Sequence, residues 1–276
     1  MSPDTNSTPP PDPQEQLREE ILADLPRLGL DDTFNFSCQP GISCFNRCCG
    51  DVNIFLTPYD VMRMKNRLGI ESSEFLDKYT LMPFQKDMKT PVLVLKMSED
   101  EKKMCPFVTD EGCGIYSDRP WPCRMYPIGV ASPGDASEEE FYFLLKEDQC
   151  EGHGCGKEMT VAQWFADQEV DHYNEMAKDY TAITLHPAII RGEPLDVKQT
   201  EMFFTALYDL DRFRRFLLDT TFFERFEVEP ETIEAIKTDD EALLKFAFRW
   251  IRFSILGDPT VKIRSEVVEQ KKQELS

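Results

Sequence analysis

The sequence predicts an α+β fold: a small, irregular cysteine-rich unit of short strands and helices, followed by an all-helical C-terminal extension. Three observations lead there. Seven of the nine cysteines fall between Cys38 and Cys123, among turn residues and apolar runs too brief for long elements. From Thr160 the texture changes to apolar residues three and four apart, the spacing of amphipathic helices. The chain has 276 residues, 41% of them apolar, enough for a real core and for either one large domain or a small one with an extension. The expected organisation is a disordered tail over 1–16, a cysteine-cluster domain over 17–157 and a helical extension over 158–276.

The N-terminal residues are polar and Pro-rich, with the run Pro9-Pro10-Pro11, which favours disorder. Leu17, Ile21, Leu22 and Leu25 then share one helical face, stopped by Pro26 and Gly29. Val52, Ile54 and Leu56 alternate as in a short strand. Thr57-Pro58-Tyr59-Asp60 supplies an N-cap hydroxyl, a proline at the first helical position and a carboxylate at the third. That helix is expected to end at Gly69, with Val61, Met64 and Leu68 inward and Arg63, Lys65 and Arg67 outward. A second helix begins at Ser72, and Pro91–Lys96 reads as a strand. Phe107-Val108 and Gly114-Ile115-Tyr116 form the arms of a hairpin closed by Thr109-Asp110-Glu111-Gly112, which brings Cys105 near Cys113. Phe141–Leu145 is a further strand, after the loop Ser132-Pro133-Gly134-Asp135.

In the helical region, Thr160 and Gln163 form a capping box. Val161, Trp164, Phe165, Gln168, His172, Met176 and Tyr180 follow as one stripe, with His172 a hydrogen-bonded core or edge histidine. A second helix spans about 197–218 with Phe203, Leu207, Leu210, Phe213 and Leu217 inward. Pro230–Ile236 is a short helical turn. Thr238 and Glu241 make another capping box before Leu243, Phe246, Ala247 and Trp250, and the helix ends at Gly257. The charged tail from Lys262 is a surface helix or a frayed end.

Acidic residues outnumber basic ones 51 to 31, a net charge of −20. Such a chain repels phosphate backbones and anionic headgroups, so nucleic acid and membrane surfaces are not expected partners. No apolar stretch approaches the ~20 residues that span a bilayer, and Met1–Gln16 lacks the basic and apolar regions of a signal peptide. The expected location is the cytoplasm, where clustered cysteines serve metal binding or catalysis rather than a disulfide framework.

Cys38, Cys44, Cys48 and Cys49 lie within twelve residues; Cys105, Cys113 and Cys123 follow, then Cys150 and Cys155 in a Gly-rich segment. Thiolates are soft ligands that select zinc, copper(I) or iron-sulfur clusters. Structural zinc sites usually pair cysteines two to four residues apart, and only Cys44 to Cys48 has such a gap, so a ribbon or RING layout fits poorly. Neighbouring side chains diverge, so Cys48 and Cys49 do not comfortably serve one tetrahedral ion; two metals, a multi-iron cluster, or one ligand beside a supporting neighbour accommodate them better. Arg47, Arg119 and Arg124 are placed to offset thiolate charge, and Phe45, Phe107, Trp121 and Tyr126 to form an apolar rim. His153, between Cys150 and Cys155, is a candidate mixed ligand.

These residues, with Cys105-Pro106-Phe107, Cys113-Gly114-Ile115-Tyr116 and Arg119-Pro120-Trp121-Pro122-Cys123-Arg124-Met125-Tyr126-Pro127, resemble the YkgJ-type cysteine-cluster family over about 34–150. The resemblance implies chelation of zinc or of iron, as an ion or within an iron-sulfur cluster. It implies as ligands Cys38, Cys44, Cys48, Cys49, Cys105, Cys113 and Cys123, with Cys150 as the eighth. The five residues between Cys38 and Cys44 are more than the compact family form has. A structural or electron-transfer centre is the first expectation. A metal-dependent modification enzyme similar to flagellin lysine N-methylase is the second, although the chain lacks a G-x-G-x-x-G fingerprint and an evident Cys-His dyad. A metal-free thiol redox sensor using Cys48 and Cys49 is the third.

Overall fold

The computed structural model describes residues 26–83, 88–131 and 141–274. The helix expected around Leu17–Leu25 and the loop at Ser132–Asp135 lie outside them. Apolar side chains collect in two cores. The smaller holds Phe34, Phe36, Met125, Ile128, Val161, Phe165 and Val170. The larger runs from Leu56 and Tyr59 through Phe107 and Ile115 to Phe213, Phe246 and Trp250, so the Pro58–Leu68 helix and the C-terminal helices share one interior.

Strands are short and antiparallel. Thr33–Phe36 pairs with His153–Thr160, with an irregularity between Asn35 and Phe36. Neither strand was expected, because the second is polar and rich in glycine and shows no alternation. Phe55–Leu56, Leu93–Leu95 and Thr80–Leu81 form a three-stranded sheet with Leu93–Leu95 in the centre. The Cys105 hairpin forms with Val108 opposite Cys113 and Thr109 opposite Gly112, so its loop is only Asp110-Glu111. Ile128–Ala131 pairs with Phe141–Leu144.

The Pro58–Leu68 helix starts as its sequence requires. Thr57 and Asp60 close a capping box, and Gly69 ends the helix at φ 66°, a left-handed conformation that glycine adopts without strain. One expectation fails on it. Lys65 is buried, with its Nζ 3.1 Å from Asp211 and 2.9 Å from Asp240. Arg214 contacts the same two carboxylates, so four charges from three helices neutralise one another inside the protein.

Two expected helices are each broken in two. The stripe from Val161 divides into Val161–Asp167 and Val170–Thr184, because Glu169 takes φ 55° and the Gln168 carbonyl is claimed by Arg124 at 2.7 Å. The second, expected over 197–218, divides into Val197–Leu207 and Leu210–Leu218. Asp209 caps the latter and also accepts from the hydroxyls of Ser72 and Ser73. Tertiary hydrogen bonds outweigh helical continuity at both points. Pro230–Ile236 is helical as expected. The Asp240–Ser254 helix is capped by Asp239, not by a Thr238–Glu241 box, since Glu241 is drawn to Tyr59 and His172 instead. His172 is the edge histidine expected, half exposed with its ring edge-on to Tyr59. Ser265–Glu274 is the surface helix.

Burial alone would raise the carboxyls of Asp211 and Asp240. The Ser72 N–H and Lys65 hold Asp211 below the usual carboxylate range, and Arg214 and Lys65 do so for Asp240. A depressed folded pKa gives stability that is complete at neutral pH and is lost as pH falls below about 4. Lys65→Ala is expected to cost roughly 3 kcal/mol in urea unfolding at pH 7, with the gap to wild type narrowing in acid. A gap independent of pH would contradict the ion network.

Candidate metal centre

The first cysteine group is a succession of tight turns. Phe45 N–H bonds the Ile42 carbonyl at 2.9 Å, Arg47 N–H that of Cys44 at 2.9 Å and Cys49 N–H that of Asn46 at 3.1 Å, with Asn46 left-handed at φ 66°. This coil sets Cys48 and Cys49 side by side, between two other loops. Each loop is seated by a glycine. A Cβ on Gly50 would lie 2.8 Å from the Met104 sulfur and 2.9 Å from the Lys102 carbonyl. That approach lets Cys105 N–H reach the Cys49 carbonyl at 2.8 Å. A Cβ on Gly152 would lie 2.5 Å from the Ser37 carbonyl, and Ser37 N–H bonds the Gly152 carbonyl at 3.1 Å, so Cys150 comes beside Cys38.

Eight thiols meet as a result. Cys48 accepts hydrogen bonds from Cys38 and Cys49, which lowers its pKa and raises those of its donors. Cys38 also lies within electrostatic reach of Cys44 and Cys150. Cys38, Cys44, Cys48 and Cys150, with Tyr126 and Gln149, line a cavity of about 10 Å³, room for roughly one water-sized sphere. On the other side Cys49 faces Cys123 and Cys105. Burial pushes the Cys105 thiol up, opposed by the N–H groups of Phe107 and Val108; burial does the same at Cys113, opposed by Ile115 N–H. Cys123 keeps some exposed surface, yet the protein around its thiol, then Cys105 and Cys113, push it up to about 12.

Arginines and a buried acid hold these loops. Arg119 is buried, stacks on Tyr116 with 3.7 Å to the ring centre, and sits beside Cys113 and Cys123, where it would offset the charge of thiolates. Arg124 acts otherwise. Its buried guanidinium donates to the carbonyls of Arg119, Gln168 and Ser117 and lies 4.3 Å from the Tyr173 ring centre, bolting the Cys123 turn to the helices. Arg47 is exposed. Asp60, fully buried, accepts from Trp121 N–H at 2.8 Å and from Thr57, tying the Trp121–Met125 turn to the first helix. Sequence reasoning gave Asp60 only a capping role, because nothing local marks its second partner 61 residues away.

The remaining candidates are otherwise engaged. His153 Nε2 meets the Leu145 carbonyl at 2.9 Å, and exposed Cys155 donates to the Glu151 carbonyl at 3.3 Å. Among the described residues no three His, Cys, Asp or Glu side chains stand at metal-holding geometry. The donor set nevertheless suits zinc or iron: it is all sulfur, backbone N–H groups point at two of the thiols, and a cation lies beside two. The buried Tyr126 hydroxyl lies against Cys150 with Cys48 nearby, and Cys150 as a thiolate would accept from it.

Residues 37–157, which include all nine cysteines, match the CxxCxxCC family, described as "Putative zinc- or iron-chelating domain". The match falls on the same cysteine-cluster family that the motifs resemble. No curated protein and no solved structure matches the chain. The chain spaces its first cysteines more widely than the family name, and the turns at Gln39–Phe45 take up the extra residues. No described helix is long and apolar enough to cross a membrane.

Arg124→Met leaves three carbonyls without their donor and is expected to destabilise the protein by about 3 kcal/mol in urea unfolding. A loss under about 1 kcal/mol would show that the Cys123 turn does not depend on it.

Proposed function

We propose that the chain chelates iron or zinc through the thiolates of Cys38, Cys44, Cys48, Cys49, Cys105, Cys113, Cys123 and Cys150, in the reducing cytoplasm. The observation that carries this reading is the crowding of eight thiols from separate loops: Cys38, Cys44, Cys48 and Cys150 line one small cavity, and Cys49, Cys105, Cys113 and Cys123 lie near one another. A bound cation would neutralise thiolates there and cross-link loops that share few hydrogen bonds. The role that follows is structural, with metal binding energy appearing as folding energy. Iron would add one-electron transfer.

The test is anaerobic purification of the full chain followed by metal and acid-labile sulfide analysis. Iron or zinc is expected with the protein. Cys48→Ser and Cys123→Ser are each expected to lower metal content and the thermal midpoint. Full metal retention with unchanged stability in both variants would refute the assignment.

A further inference from the structure

We infer that the eight thiols form two four-sulfur sites rather than one, divided at the peptide bond between Cys48 and Cys49. Cys38, Cys44, Cys48 and Cys150 make the first; Cys49, Cys105, Cys113 and Cys123 make the second. This division rests on the chelation reading above and goes beyond it in number, membership and hierarchy. Four thiolates are the complement that a tetrahedral zinc or iron ion takes, and also an iron-sulfur cluster.

The membership comes from the neighbours. Cys38, Cys44, Cys48 and Cys150 share the walls of one small cavity, and Cys49 is not among its lining residues. Cys49 turns instead to Cys105 and Cys123, and Cys113 reaches the group through its hairpin with Cys105. Each set also has its own assembly point. The Gly152–Ser37 approach brings the Cys150 loop to the first set, and the Gly50–Met104 approach brings the Cys105 loop to the second. Adjacent residues cannot easily serve one tetrahedral ion, but they serve two neighbouring centres without strain. The hydrogen bond between Cys49 and Cys48 marks the seam where those centres would meet.

The two sites are not equivalent. Four thiolates around a divalent ion leave a net charge of −2, which the surroundings must absorb. At the second site buried Arg119 faces Cys113 and Cys123, and N–H groups of Phe107, Val108 and Ile115 point at two of the sulfurs. Cys105 and Cys113 also pack against the larger core. At the first site none of the lining residues is basic. Its support is the Glu151 N–H, 3.2 Å from the Cys44 sulfur, and the Tyr126 hydroxyl beside Cys150. The first site therefore releases its metal first, and the second is the permanent one.

The experiment uses the full chain, reconstituted anaerobically with zinc and, separately, with iron and sulfide. Metal per chain is measured by plasma mass spectrometry for wild type, Cys150→Ser, Cys113→Ser and the double variant. Each single variant is expected to hold about half the wild-type metal and the double variant almost none. Under a chelator, wild type is expected to release metal in two phases, the faster one missing from Cys150→Ser. Complete loss in either single variant, or no loss in either, overturns the division. Single-phase release from wild type does so even where a variant fails to fold. A wild-type chain that takes up neither zinc nor iron overturns the chelation reading and the division together; uptake with all-or-none loss overturns the division alone.

Discussion

Crowded thiols cannot all ionise without a cation among them. In this protein Cys38 and Cys49 donate to Cys48, while burial pushes the thiols of Cys105, Cys113 and Cys123 up and neighbouring sulfurs add to it at Cys105 and Cys123. Repulsion between thiolates at short range is strong where water is scarce. The loops that impose this crowding are short, turn-rich and joined by few backbone bonds. Their arrangement is intelligible as a ligand set, because a metal converts the repulsion into attraction.

The rest of the molecule works as the frame for those loops. The Pro58–Leu68 helix anchors the Trp121 turn through Asp60, and the Val161 and Val170 helices hold it through Arg124 and Gln168. Trp121 also reaches Asn174 with its indole nitrogen at 2.7 Å. These groups lie far apart in sequence, so the position of Cys123 depends on the packing of the helical region. Farther out, the buried Lys65–Asp211–Asp240–Arg214 cluster locks the first helix to the later ones. A continuous core under both regions lets strain at the sulfur loops be resisted by the helices.

Much of this was readable from local pattern. The Thr57–Asp60 and Thr160–Gln163 boxes start their helices, Gly69 ends one, and the hairpin between Cys105 and Cys113 forms. The candidate ligands were legible because cysteines clustered this densely are rare by chance. Illegible features were those decided by distant partners. Lys65 reads as a surface charge until Asp211 and Asp240 are brought to it. The helix breaks at Glu169 and Asp209 follow from side chains elsewhere, Arg124 in one case and Ser72 with Ser73 in the other. The strand His153–Thr160 has no apolar alternation and exists because Thr33–Phe36 lies against it. Gly50 and Gly152 look like ordinary loop glycines, and only the close approach of Met104 and Ser37 shows why no side chain fits there.

X-ray absorption at the metal edge of the anaerobically purified chain tests the central claim most directly. The account predicts a first shell of about four sulfurs near 2.3 Å, with no nitrogen or oxygen ligand. A shell dominated by nitrogen or oxygen, or a chain free of metal, would contradict it.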